Sequence, residues 1–370
     1  MQRLAPLLVG VMMMVWLPAA RAQTPDYIIQ LNDAPLNSVS GKPAKPASSP
    51  AAQAVKPAAA AAKPGARLKI GLLLPTESRL LGEAAAVVRN GFEAAQAAEP
   101  VADIEVIDAN EKNAAEKYRE AVASGVNVMV GPLSRSGIAA VAPIVNVPTL
   151  ALNSFGKEVA PNAKLYSLSL NVEAEARQIA QLMREDGRAN PLIVSDGEVL
   201  SSRLQQAFAE AWRAQTGKTA AQVDYAEANL SDVARAAGMA DGVFLALEPA
   251  AAAKVKQALM PELAVYATSQ ISTRSPDPQL AGTRYIDMPW FLMPEHPAVK
   301  RYPRPAETLT LQTERLYALG IDAYRLAVEL GKARNPSAIR LDGVTGDLKP
   351  GKDRVFERQL PVSLIGESMH

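Results

Sequence analysis

From Arg67 onward, short continuous apolar runs closed by Pro or Gly alternate with stretches whose apolar residues recur at helical spacing. Lys69–Pro75 (Lys-Ile-Gly-Leu-Leu-Leu-Pro) and Val126–Ser136 (Val-Asn-Val-Met-Val-Gly-Pro-Leu-Ser-Arg-Ser) are the clearest. Runs of this kind read as strands buried on both faces of a parallel sheet. The pattern predicts strands at Leu68–Leu74, Ile104–Ile107, Val126–Val130 and Thr149–Leu152, with helices at about Glu83–Ala98, Ala114–Ser124 and Gly137–Ile144 between them. A second series follows. Its helices are predicted at Glu173–Glu185, Ser201–Gln215, Ser231–Ala237 and Ala250–Leu259, and its strands at Pro191–Ser195, Gln222–Tyr225, Gly242–Leu247 and Ala264–Thr268. After an isolated strand at Arg284–Asp287 comes a long helix over about Leu311–Arg334. It places Leu316, Leu319, Ala323, Leu326, Ala327 and Leu330 at core spacing. A Gly-rich β section at Ile339–Leu348 and a last strand within Val355–Leu364 close the chain.

Strand and helix in strict alternation predict a doubly wound α/β fold. Roughly 300 residues exceed what one core sustains, so two lobes of similar plan joined by a hinge are expected. Parallel sheets carry their ligand sites at the carboxyl ends of the strands, which directs attention to the loops Thr76–Gly82 and Pro132–Gly137.

The segment before Arg67 reads differently. Arg3, an apolar stretch Leu7–Leu17, Pro18 and then Ala20-Arg21-Ala22 form the layout of a cleavable secretory signal, Met1–Ala22. The uncharged run Leu4–Ala20 would cover roughly 25 Å of a hydrocarbon layer about 30 Å thick, so a retained inner-membrane anchor is the alternative. Residues 23–66, rich in Pro, Ala and Lys with Lys-Pro pairs, predict a disordered linker. The short apolar patch Tyr27–Leu31 within it could dock on a partner or on the core. The chain has no cysteine, hence no disulfide and no lipid-acceptor residue, and the expectation is a periplasmic protein that is not a lipoprotein. A formal net charge of +1 speaks against a nucleic-acid partner, which selects basic faces.

Catalytic raw material is scarce. The two histidines, His296 and His370, and the lack of cysteine leave little for a triad or a transition-metal site. No Gly-x-Ser-x-Gly elbow or phosphate-cradling Gly-x-x-x-x-Gly-Lys loop is present. Ser154-Phe155-Gly156-Lys157 matches Ser-x-x-Lys of serine acyltransferases, but Gly156 and Val159-Ala160-Pro161 disfavour the helix that motif needs. Glu77, Asp108, Asp196, Glu198 and Glu248 lie near predicted strand ends, where solvated acids also cap helices. No catalytic residue, metal ligand or cofactor is therefore assigned. Binding loops remain. Ser134, Arg135 and Ser136 precede a helix whose free amides could receive an anion, and Asn153 and Ser154 close the neighbouring strand. Plain N-capping by Ser134 or Ser136 and a turn at Asn153-Ser154 account for the same residues.

Several stretches carry a family likeness: Val130-Gly131-Pro132-Leu133, Pro148–Asn153, Val265–Ser269 (Val-Tyr-Ala-Thr-Ser), Asp287-Met288-Pro289-Trp290, Arg315–Ala327 (Arg-Leu-Tyr-Ala-Leu-Gly-Ile-Asp-Ala-Tyr-Arg-Leu-Ala) and Gly343–Leu348 (Gly-Val-Thr-Gly-Asp-Leu). From Arg67 to about Leu364 the chain resembles the LppC/LpoA family. The resemblance implies a type I periplasmic-binding-protein fold in which the chain crosses between lobes three times. Residues 67–165 plus 284–334 would then form one lobe, and 166–283 plus 335–370 the other. It also implies a non-enzymatic periplasmic activator of a class A penicillin-binding protein in peptidoglycan synthesis. Unlike the best-known members, this chain has neither the lipid-acceptor cysteine nor helical repeats before Arg67. For such a role the expected partner surface is Asp287–Phe291 with the loop Met293–Pro305, where Trp290, Arg301, Tyr302 and Arg304 gather interface-prone types. Trp290 and Phe291 could instead be buried at the hinge.

The alternative is the solute-binding protein of an ABC transporter for amino acids or amides, with a small-molecule ligand in the inter-lobe crevice. In those proteins a small hydroxylated residue usually follows the position of Ser134; here that residue is Arg135.

Overall fold

The computed structural model describes Arg67–Gly366 apart from Lys157, so the signal-like start, the Pro-rich linker with its Tyr27–Leu31 patch, and His370 lie outside the described residues. In chain order the first elements are β1 (Leu68–Leu74), α1 (Gly82–Ala98), β2 (Ala102–Asp108), α2 (Ala114–Ala123), β3 (Val128–Val130), α3 (Arg135–Val141), β4 (Thr149–Ala151) and β5 (Leu165–Ser167). Their strands form one parallel sheet in the order β2-β1-β3-β4-β5. The next elements are α4 (Val172–Glu185), β6 (Pro191–Ser195), α5 (Val199–Thr216), β7 (Ala221–Asp224), α6 (Leu230–Ala237), β8 (Gly242–Ala246), α7 (Pro249–Gln257), β9 (Val265–Ala267) and β10 (Arg284–Ile286). These strands lie β7-β6-β8-β9-β10 and run parallel, the same order as in the first sheet. The second series of elements thus repeats the first.

The remaining chain serves both halves. It runs through α8 (Pro289–Leu292), α9 (Pro297–Lys300), α10 (Leu311–Lys332), β11 (Leu341–Asp342), β12 (Asp347–Pro350), β13 (Phe356–Gln359) and β14 (Val362–Leu364). β11, β12 and β13 make a small antiparallel sheet. β14 adds an antiparallel edge to β10 of the second sheet.

The central strands are apolar on both faces because helices cover both. Residues 70–74 of β1 and all of β3, β6 and β8 are buried. α10 returns to the first half and lies across α1. Thr310 caps it by accepting from the Thr313 amide, and the crossing is close because two glycines meet there. A Cβ on Gly91 would overlap the Tyr317 carbonyl oxygen, and one on Gly320 the Val88 carbonyl oxygen. At Gly131 (φ +97°), which precedes Pro132, a Cβ would strike the Leu73 carbonyl, so the turn that opens toward Ser134 requires glycine.

Three expectations are corrected. Arg284–Asp287 does not belong with the first lobe, since β10 pairs with β9 and β14 and the chain crosses only after Ile286. The first sheet gains an unexpected edge strand, β5, that extends past the expected boundary at residue 165. The last strand is two strands in different sheets, split at Leu360-Pro361 because proline has no amide to continue a ladder. A single parallel bridge, Ser167 to Val355, ties the small sheet to β5.

Candidate functional site

The chain leaves the first sheet at the carboxyl end of β5 and the second at the carboxyl end of β10, so the carboxyl edges of both sheets border the junction. The crevice loops lie on the first edge. Ser134 is the N-cap of α3 and accepts from the Gly137 amide at 3.1 Å, while Ser136 Oγ donates to Ser134 Oγ at 3.3 Å. Asn153 is buried; its Nδ2 donates to the Leu133 carbonyl at 3.0 Å and its Oδ1 accepts from the Ser154 amide at 2.8 Å. Arg135 Nη2 donates to Ser154 Oγ at 3.0 Å. The structure thus brings together all five residues singled out here, and in it their polar groups stitch the β3 and β4 loops to each other. Ser154, Phe155 and Gly156 are not helical, so the arrangement required by Ser-x-x-Lys is missing there, and Lys157 lies outside the described residues.

Where the chain crosses between the sheets is a buried charged cluster. Arg315 on α10 donates to Asp287 Oδ2 at 2.6 Å and to the Ser269 carbonyl at 3.1 Å. Asp287 also accepts from Ser272 Oγ at 2.6 Å and from the Met288 amide at 2.8 Å. Glu175 on α4 accepts from the Ser269 amide at 3.1 Å and faces Arg358 on β13 at 3.4 Å. Arg358 in turn donates to the carbonyls of Ser169 and Thr345. Burial pushes the Glu175 carboxyl above the usual carboxylate range, with Arg358 opposing the rise. A second buried carboxylate, Asp322, accepts from the amides of Val344 and Thr345, from Thr345 Oγ and from Arg325. Burial raises its pKa as well.

These groups tie the crossings together: β5 to α4 at Ser169 and Glu175, β10 to α8 at Asp287, and β13 to β14 at Arg358. Gln178 completes the set, donating to the Leu360 carbonyl at 2.6 Å and accepting from the Leu360 amide at 3.1 Å. Glu175, Asp322 and Arg358 escaped the sequence reading. The available signal was a charge inside a run of core spacing, as at Arg315 and Asp322, where α10 is buried nearly all round.

The expected partner residues divide by depth. Trp290 is fully buried, as the alternative of burial had it; its indole donates to Glu314 Oε1 at 2.9 Å, which removes the indole from the expected partner surface. Phe291 is the half-buried neighbour. Tyr302 is also buried and donates to Glu99 Oε1 at 2.7 Å, and burial together with that bond raises its pKa. Burial alone would raise the Glu99 carboxyl, but donation from Tyr302 and Arg301 outweighs it and holds the group below its ordinary value. Arg301 and Arg304 remain exposed, with Arg304 lying 4.1 Å over the Trp290 ring. Among the described residues no cluster of three or more His, Cys, Asp or Glu could hold a metal, and no helix is long and apolar enough to cross a membrane.

Two doubly wound lobes of identical strand order, linked by crossings at their carboxyl edges, define a protein of the type I periplasmic-binding-protein class. The family model described as "LppC putative lipoprotein" matches residues 16–238 and 229–363, and the chain belongs to that family. Penicillin-binding protein activator LpoA of Histophilus somni is 28% identical over 310 residues, covering 79% of this chain and 52% of that protein. The counterpart from Haemophilus influenzae is 27% identical over 317 residues, covering 79% and 53%. The chain thus spans about half the length of the curated relatives it matches.

Among solved structures, the C-domain of Haemophilus influenzae LpoA, described as a regulator of PBP1A, superposes with a TM-score of 0.69 at 25% identity, covering 80% of this chain and 96% of that one. A Chromobacterium violaceum protein described as "a putative branched-chain amino acid ABC transporter" superposes with a TM-score of 0.78 at 59% identity, covering 80% of this chain and 100% of that one.

Proposed function

We propose that this protein is a non-enzymatic periplasmic regulator that binds a class A penicillin-binding protein and stimulates peptidoglycan cross-linking. The observation that carries this reading is membership of the LppC family together with the likeness, over 80% of this chain and 96% of that one, to an LpoA C-domain described as a regulator of PBP1A. The crevice loops carry less weight: Ser134, Asn153 and Ser154 bond within the two loops, while Arg135 gives Nη2 to Ser154 and keeps a buried Nε without a partner among the described residues. The proposed partner face is the exposed pair Arg301 and Arg304, set on the buried platform of Trp290 and Tyr302.

The test is the affinity of the purified protein for the class A penicillin-binding protein of the same cell, at about 0.15 M salt to screen nonspecific attraction, together with the cross-linking rate. Saturable binding at micromolar strength or better and a higher rate are expected, with Arg301→Ala/Arg304→Ala weakening binding about tenfold. No binding by the folded protein would sink the reading. The solute-binding alternative draws on the description of the Chromobacterium violaceum protein. It predicts a rise in Tm with leucine, isoleucine or valine, checked by thermal shift.

A further inference from the structure

A cavity of about 180 Å³ lies between the connection from β4 to β5, on the far side of Ser154 in sequence, and the turn that joins β12 to β13. Phe155, Val159, Pro161 and Leu165 give it an apolar body, and Asp353 and Arg354 line one side. Both of these residues hold left-handed backbone, with φ of +55° and +61°. Conformations that cost energy in a non-glycine residue gather at sites where a side chain must be aimed. The Arg354 Nε is buried and finds no hydrogen-bond partner among the described residues. Arg354 as a whole is half-buried, so the cost falls on this one N–H, and a guanidinium edge is best matched by a carboxylate.

We propose that this cavity is a binding site for a small carboxylate with a branched apolar body, its anionic end on Arg354 and its tail against Val159 and Leu165. The space corresponds to about six water volumes, the size of a short branched acid. Asp353 on the same lining repels any anion, a doubly charged one such as phosphate about twice as strongly as a monocarboxylate, so the single charge is the better match to Arg354.

The test uses 4-methylpentanoate as the probe and methyl NMR of the whole protein as the readout. Saturable shifts at the Val159 and Leu165 methyls are expected. Arg354→Gln should weaken them about tenfold or more, the loss of one charge-assisted hydrogen bond, and Ala160→Trp at the rim should abolish them. The matching alcohol, 4-methylpentan-1-ol, should bind at least about tenfold more weakly than the acid. Absence of saturable shifts, shifts confined to other methyls, or equal affinity for acid and alcohol would each overturn the proposal. The comparison of acid with alcohol needs no variant, so it decides even if Arg354→Gln does not fold.

Discussion

Asp322 shows why a carboxylate can be fixed in a helix that has almost no exposed side. It is fully buried, yet every neighbour donates to it: two amides, a hydroxyl and the Arg325 guanidinium. Asp322→Ala strips the acceptor from these buried donors and should cost about 3–5 kcal/mol, read from denaturant midpoints. Asp322→Asn keeps an acceptor and should cost less. Burial raises the folded pKa of Asp322 above its unfolded value, so the folded state holds the proton over a pH range in which the unfolded state has lost it. The contribution of this group is complete below the ordinary carboxylate range and is lost as pH rises through the raised value. The asparagine variant should therefore lose less stability than the parent as pH rises above the ordinary carboxylate range. An equal loss in both proteins would show that Asp322 does not titrate in that window.

Among the elements, the crossing of α1 and α10 is set by what is missing. With glycine at positions 91 and 320 each helix backbone rests on the other, and added methyl groups would overlap main-chain oxygens that cannot turn away. Gly320→Ala should destabilise the protein by about 1–3 kcal/mol or force the helices apart, measurable as a lower denaturant midpoint. The same element marks what the sequence discloses. Its core spacing places α10 within one residue of its start and two of its end, because periodicity over many turns is a strong signal. β5 has three residues, too few for any period, and its pairing with β4 depends on long-range register. Pro361 was readable as a break, but not the fact that the strands on its two sides enter different sheets. That the five residues of the β3 and β4 loops would lie together was legible from their strand-end positions. The burial of Trp290 was not, since a surface aromatic and a hinge aromatic have the same local sequence.

At the scale of the molecule, one hydrophobic cluster runs through both lobes. It joins Ile70 and Leu72 of β1 to Ile193 of β6 and Phe244 of β8 by way of α4, Trp290 and α10. The buried clasp of Arg315, Asp287, Glu175 and Arg358 lies on the same path. Lobes joined in this way should unfold together. Far-UV circular dichroism, which follows both lobes, and fluorescence of Trp212 in the second lobe and Trp290 at the hinge should trace one superimposable denaturant transition. Separate midpoints would mean that the clasp does not couple them.

The clasp also has an order in time. β13 and β14 come last among the described strands, yet Arg358 within β13 and Leu360 just after it supply partners to Glu175 and Gln178, 183 and 182 residues earlier in the chain. Until that segment docks, Glu175 has the Ser269 amide but lacks the Arg358 guanidinium that faces it across the seam. A chain cut before Arg358 should therefore be digested by protease faster than the intact one, because the segment that closes the seam is missing.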